Sequence, residues 1–218
     1  MVPVNHVKDI NNAKDLVETY CSPGEPYGWP LYDDDPAPGI LTGVDLASPA
    51  LVSYPIPRAC LNMMGQDGTE YHALFQTMKR FVETPVSTPT SFYDLPEELL
   101  TAGENRQVGD PKEGPKDWQD LISALDAVHG CKDLWSPAVT KILHRKRPDL
   151  VPISDSRVQD FYGARRDYSK LFTAIHADLH FEDTNEWLAG LAADHVTPSG
   201  RPMTVLRALD IIVWMHAA

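Results

Sequence analysis

Apolar positions recur along most of the chain at three- to four-residue intervals, the period of a helix with one buried face. Val7, Ile10, Leu16, Val17 and Tyr20 fit a short helix that Pro23 and Gly24 close. Thr42 is placed to cap a second helix through Asp45 and Leu46, and a third is expected from Arg58 to Met64. The clearest amphipathic run is Glu70 to Glu83, where Tyr71, Leu74, Phe75, Met78, Phe81 and Val82 share one face. Trp118, Leu121, Ile122, Leu125 and Val128 predict a helix ending near Gly130, and Ser136 with Pro137 announces the next as N-cap and first-turn proline. Arg147-Pro148 ends that helix, Leu150 to Ile153 crosses as an extended segment, and another helix begins near Ser154 or Asp155 and stops at Gly163. Thr184 is placed to cap a further one. The last, Met203 to Met215, is apolar on nearly every side and is expected to be central, with Arg207 and Asp210 three apart and able to pair. No strand alternation of useful length and no internal repeat occurs, so the pattern predicts a single all-α domain.

Two stretches break the pattern. Residues 22–40 carry too many prolines and glycines for a continuous element and read as a loop, with Tyr27, Trp29 and Tyr32 beside Asp33, Asp34 and Asp35. Such a loop either rims a pocket or pins itself to the core through its rings. Residues 101–116 lack any apolar face and are expected to be mobile.

The 218 residues carry 19 lysines and arginines against 31 acids, a net charge of −12, which disfavours polyanions over most of the surface. Between Lys132 and Lys170 the balance reverses, with nine bases and five acids, so this stretch is the candidate contact for a phosphate-bearing ligand. The three cysteines, Cys21, Cys60 and Cys131, show neither metal-ligand spacing nor a disulfide framework, and no basic leader or membrane-length apolar run is present; a cytoplasmic location is expected. GxSxG, GxxxxGK[ST] and GxGxxG are absent, so no cofactor is expected. His176 and His180, four apart, are read as an exposed helix end beside Asp178, Glu182 and Asp183, without a metal. Trp214 and Met215 are read as core.

Residues 129–163 include Trp135-Ser136-Pro137, Leu143-His144-Arg145-Lys146-Arg147-Pro148 and Leu150-Val151-Pro152-Ile153-Ser154-Asp155-Ser156-Arg157-Val158. This segment resembles the core of helix-hairpin-helix DNA glycosylases, in which a helix, a glycine-rich hairpin and a second helix precede a short crossing whose aspartate opens the next helix. The resemblance implies a helix-hairpin-helix glycosylase-like bundle, and it implies that Asp155, one residue later than the family pattern, stabilises positive charge as a glycosidic bond breaks. The hairpin Gly130-Cys131-Lys132-Asp133-Leu134-Trp135 is longer than the family's, and Ser136 stands where some members carry a nucleophilic lysine, with Lys141 about a turn and a half beyond. The whole chain also resembles a group of short uncharacterised bacterial proteins, through Leu41-Thr42, Asp45-Leu46, Lys141 to Pro148, Val151-Pro152, Asp155-Ser156, Leu206-Arg207, Asp210 and Val213 to Met215.

Three functions are compatible with these features. The acidic surface favours a metal-independent enzyme acting on a small aromatic or nucleoside-like molecule, with Asp155 as the acid-base or cation-stabilising carboxylate and Trp29, Tyr32, Trp135, Lys141 and Arg157 as substrate contacts. The alternatives are a DNA glycosylase, in which the basic stretch holds the backbone, and a non-catalytic interaction module in which Asp155 only caps its helix.

Overall fold

A computed structural model of the protein describes residues 5–25, 27, 29–52, 54–100 and 115–217. Of the stretch 101–116, residues 101–114 lie outside the described residues. The described residues form ten α-helices: α1 (Ala13–Cys21), α2 (Gly43–Ala47), α3 (Arg58–Met64), α4 (Glu70–Glu83), α5 (Lys116–Ala127), α6 (Ser136–Lys146), α7 (Ser156–Phe161), α8 (Tyr168–Leu179), α9 (Thr184–Ala192) and α10 (Val205–His216). No strand occurs among them, only an isolated bridge between Val196 and Pro202. The all-helical expectation holds.

Local chemistry explains most of the boundaries. Thr69 accepts the His72 N–H and starts α4, which buries Tyr71, Leu74, Met78, Phe81 and Val82. A capping box between Thr42 and Asp45 starts α2. The helix expected over residues 7–20 is instead a 3-10 turn, Val7–Asp9, followed by α1, because the chain turns at Asn11-Asn12. Ser136 and Thr184 are first helical residues rather than caps; Trp135 and Asp183 hold the N-cap positions. α8 has no counterpart in the expected elements. It follows the left-handed Gly163 and Arg166, is capped by Asp167, and buries Leu171, Phe172, Ile175 and Leu179.

One apolar core joins these helices. α4 lies along α5, and α1 and α9 flank α10. Trp118, Phe92 and Phe172 meet at the centre, with ring centroids 5.7 to 6.3 Å apart. Asp178 is fully buried rather than part of an exposed helix end; it accepts the Val7 N–H at 3.0 Å and the Tyr162 hydroxyl at 2.6 Å and so fastens the N-terminal turn to α8. His176 and His180 point their Nε2 atoms at the carbonyls of Leu95 and Tyr93, and no metal-holding group occurs among the described residues.

The bases of α6 turn inward, while Lys132, Arg165, Arg166 and Lys170 stay exposed. Lys141, Arg145 and Lys146 are at most 6% exposed. Lys146 Nζ lies 3.0 Å from Asp35 and 2.9 Å from Asp45, Arg145 binds Asp45 and also donates to the Tyr32 and Asp34 carbonyls, and Arg147 meets Asp117 at 2.9 Å. Asp35 therefore anchors the 22–40 loop to α6, and Asp33 anchors it to Arg207 of α10. Pro26 and Gly28 of that loop lie outside the described residues.

Removing one partner from this network strands a buried charge. Asp45→Ala is expected to lower unfolding free energy by about 3–5 kcal/mol in urea titration, whereas removing the exposed Asp160, which pairs with Arg165, should leave the midpoint in place. His144 supplies a pH dependence. Burial pushes its imidazole from 6.5 down to about 3, so it stays neutral while Nδ1 donates to the Val151 carbonyl at 2.6 Å. A depressed histidine contributes stability that is complete above 6.5 and is lost as pH falls toward 3. His144→Asn keeps a donor without the titration, so its stability is expected to fall less steeply over that window.

Candidate active site

The crossing that follows α6 is held from both sides. Thr140 of α6 accepts the Ser154 N–H at 3.0 Å, and Gln159 of α7 donates to the Ser154 carbonyl and hydroxyl. Ser154, the extra residue relative to the glycosylase pattern, is fully buried by these contacts. They set Asp155 at the start of α7, where Oδ1 accepts the Arg157 N–H at 3.1 Å and caps the helix. Its other oxygen, Oδ2, accepts from Lys141 Nζ at 2.8 Å, and the same ammonium donates to the Val52 carbonyl at 3.1 Å. The carboxylate is thus fixed in direction as well as position.

This pair borders a chamber. Its floor adds Ile153 from the crossing and Arg207 and Asp210 from α10, and its walls are Val52, Tyr20 of α1, Tyr27 of the loop and Trp214 of α10. Positions 207, 210 and 214 are three and four apart, so α10 presents them on one face. The rings form a cluster: Tyr20 stacks on Tyr27 at 5.3 Å, and both meet Trp214 edge-on at 6.3 and 5.9 Å. The space they leave is about 20 Å³, enough for roughly one water molecule. A larger guest requires the wall to move, and Tyr27, half-buried, is the wall residue carried by the proline-rich loop.

One cation of the floor is shared beyond it. Arg207 donates to Asp33 at 2.8 Å, to Tyr20 Oη at 2.8 Å and to Asp210. The lining itself sets Lys141 and Arg207 against Asp155 and Asp210, and Asp33, behind Arg207, adds a third carboxylate. The cluster favours taking up one proton. Burial, with Asp155 and Asp33 adding to it against Arg207 and Lys141, raises Asp210 from 3.8 to about 6, and its Oδ1 is buried without a hydrogen-bond partner among the described residues. Burial likewise raises Asp33. The chamber therefore joins a fixed carboxylate, an ammonium, a second carboxyl able to carry a proton near neutrality, and aromatic faces, a set suited to acid-base work and to stabilising a cation.

The residues singled out in the sequence fall in different places. Asp155 and Lys141 meet in the chamber. Arg157 lies outside it and braces Trp214, its guanidinium 4.2 Å from the ring and donating to the Trp214 carbonyl at 3.1 Å. Tyr32 is fully buried, donating to the Lys141 carbonyl at 2.6 Å, and Trp29 packs edge-on against His195. Trp135 is 57% exposed in a separate groove at the hairpin. Tyr20, Arg207, Asp210 and Trp214 were not chosen as site residues. The Arg207–Asp210 spacing did mark that face of α10; the contribution of α1 carried no local signal.

Residues 93–217 match the Family of unknown function (DUF6308), more than half of the chain, and the protein belongs to that family. No curated protein and no solved structure matches it. The matched part supplies Lys141, Asp155, Arg207, Asp210 and Trp214, while Tyr20, Tyr27 and Val52 come from the preceding segment.

A carboxyl raised on folding gives stability that is complete below its unfolded value of 3.8 and is lost as pH rises through about 6. The stability of wild type relative to Asp210→Asn is therefore expected to decrease from about pH 4 to pH 7 in denaturant titrations, and a carbon-NMR titration should place the Asp210 carboxyl near 6.

Proposed function

We propose that this family member is an enzyme that acts on a small aromatic or nucleoside-like molecule, with a core of the helix-hairpin-helix glycosylase type and Asp155 as its acid-base or cation-stabilising carboxylate. The observation that carries this reading is the position of Asp155: while capping α7 through one oxygen, it borders an aromatic-walled chamber and meets Lys141 through the other. A cap with no further role has no need of a buried ammonium partner or of a second carboxyl on the same floor. The order of α5, the hairpin at 128–135, α6, the extended crossing and the aspartate that opens α7 supports the glycosylase-type core.

For a nucleoside-like substrate the chemistry is a displacement by water. The bond between sugar and base breaks with its electron pair leaving on the base, and protonated Asp210 gives a proton to the departing nitrogen. The ionised Asp155, held by Lys141 and the Arg157 N–H, offsets the positive charge that develops on the sugar and takes a proton from the water that adds to it. Tyr20, Tyr27 and Trp214 supply faces on which an aromatic leaving group stacks once Tyr27 swings away. A duplex DNA substrate is less well supported. Lys141, Arg145, Lys146 and Arg147 are committed to interior carboxylates, so the basic stretch does not form the surface a duplex requires.

The test uses the common ribonucleosides and 4-nitrophenyl riboside, with release of the aromatic group as the readout. Wild type is expected to release it, and Asp155→Asn, whose one amide oxygen keeps the helix cap but which cannot ionise, is expected to lower kcat by about 10²–10⁴-fold while circular dichroism reports a folded chain. Equal rates in the two proteins, or no release from any of these compounds, overturns the proposal and leaves Asp155 a helix cap.

A further inference from the structure

A groove of about 620 Å³, far larger than the chamber, lies at the hairpin, where the turn of residues 128–135 faces the start of α7 and the 163–168 turn. Its volume lies in the range of small-ligand sites. Trp135 forms one side, with its indole on the surface, and Leu134 and Tyr168 add apolar floor and wall. A tryptophan so exposed beside a cavity is a ready stacking platform.

The charges in this groove contrast with those of the rest of the basic stretch. Lys141, Arg145, Lys146, Arg147 and Arg165 are paired with carboxylates and Arg157 and Lys170 donate to backbone carbonyls, but the side chains of Lys132 and Arg166, which line the groove from opposite turns, make no ion pair or hydrogen bond among the described residues. The acids nearby do not remove this positive character. Asp126 is engaged by the Tyr168 hydroxyl, and Asp133 is the one carboxylate in the lining, against two cations and His129. Both turns are held in unusual backbone: Asp133, next to Lys132, has φ 61° and Arg166 has φ 58°, the latter fixed by its N–H donating to Gln159 Oε1 at 3.0 Å. Left-handed arginine is costly, and it is retained here at the position that delivers the guanidinium to the groove.

We infer that this groove binds an aromatic anion of single-nucleotide size, a nucleoside monophosphate, with its base stacked on Trp135 and its phosphate between Lys132 and Arg166. Two separated cations suit one phosphate, and the net charge of −12 weighs against a polymer that would run beyond them. The site stands apart from the catalytic reading, since neither Asp155 nor Asp210 lines it. The two sites touch through Tyr54, which lines the groove and lies with its ring 5.7 Å from Lys141 Nζ.

Calorimetric titration of the full chain with adenosine and guanosine monophosphates, the parent nucleosides and a short single-stranded oligonucleotide tests the inference. The monophosphates are expected to bind at least about tenfold more tightly than the nucleosides, and Lys132→Ala with Arg166→Ala should abolish that difference. Trp135→Ala should weaken nucleotides and nucleosides alike. All three residues are exposed, so the variants are expected to melt with wild type. Asp155→Asn should bind as wild type does, which separates failure of this site from failure of the chamber chemistry. Equal affinity for nucleotide and nucleoside, unaltered binding in the double variant, or an oligonucleotide that binds more than about tenfold tighter than a monophosphate overturns it.

Discussion

The fold depends on the need of buried cations for partners. α6 ends in Arg145, Lys146 and Arg147, and its apolar face commits it to the interior, so these charges cannot all reach water. An isolated buried charge costs several kcal/mol, and the cost falls only when carboxylates and carbonyls converge on it. Asp35 comes from the long loop, Asp45 from α2 and Asp117 from α5. Segments with little helical content of their own are thereby assigned fixed places around α6. The 22–40 loop has almost no periodic structure, yet Tyr32, Asp33 and Asp35 are buried, because each meets a group on α6 or α10.

The same principle built the chamber. Arg207 is shared among Asp33, Asp210 and Tyr20, so one guanidinium joins the loop, α10 and α1. Arg207 is thus divided between the chamber and the loop: Asp33 answers a structural demand behind it, and Asp210 is left with an oxygen that has no hydrogen-bond partner among the described residues. A proton-carrying group in the chamber is thus a by-product of how the loop is anchored. One guanidinium thereby serves both the anchoring of the loop and the charge balance of the chamber.

Much of the helical order was legible because its causes are local. α3 and α4 have the expected limits, since a cap and an apolar face sit within a few residues of each other. α8 has no counterpart among the expected elements although Leu171, Phe172, Ile175 and Leu179 repeat at helical spacing; its cap, Asp167, follows directly on Arg165 and Arg166. Asp155 was legible through the proline-stiffened crossing before it. The rest of the chamber was not, because Tyr20, Trp214 and Asp210 come together only when α1 packs on α10, and no short-range pattern encodes that contact. The basic stretch misled for a related reason. Composition counts charge without saying which side of a helix carries it, and α6 turns its cations inward.

That inward turn changes what the net charge means. Were the bases between Lys132 and Lys170 on the surface, the protein would show a positive face extending over two helices, suited to a polyanion. With Lys141, Arg145, Lys146 and Arg147 paired to interior carboxylates, the bases of this stretch whose side chains make no ion pair or hydrogen bond among the described residues are Lys132 and Arg166, on two turns that line one groove. A single phosphate bound as inferred would meet both, and a longer polyanion would run on over a chain whose net charge is −12. The positive charge open to a ligand is therefore set by which side of each helix and turn carries the bases rather than by how many the chain has.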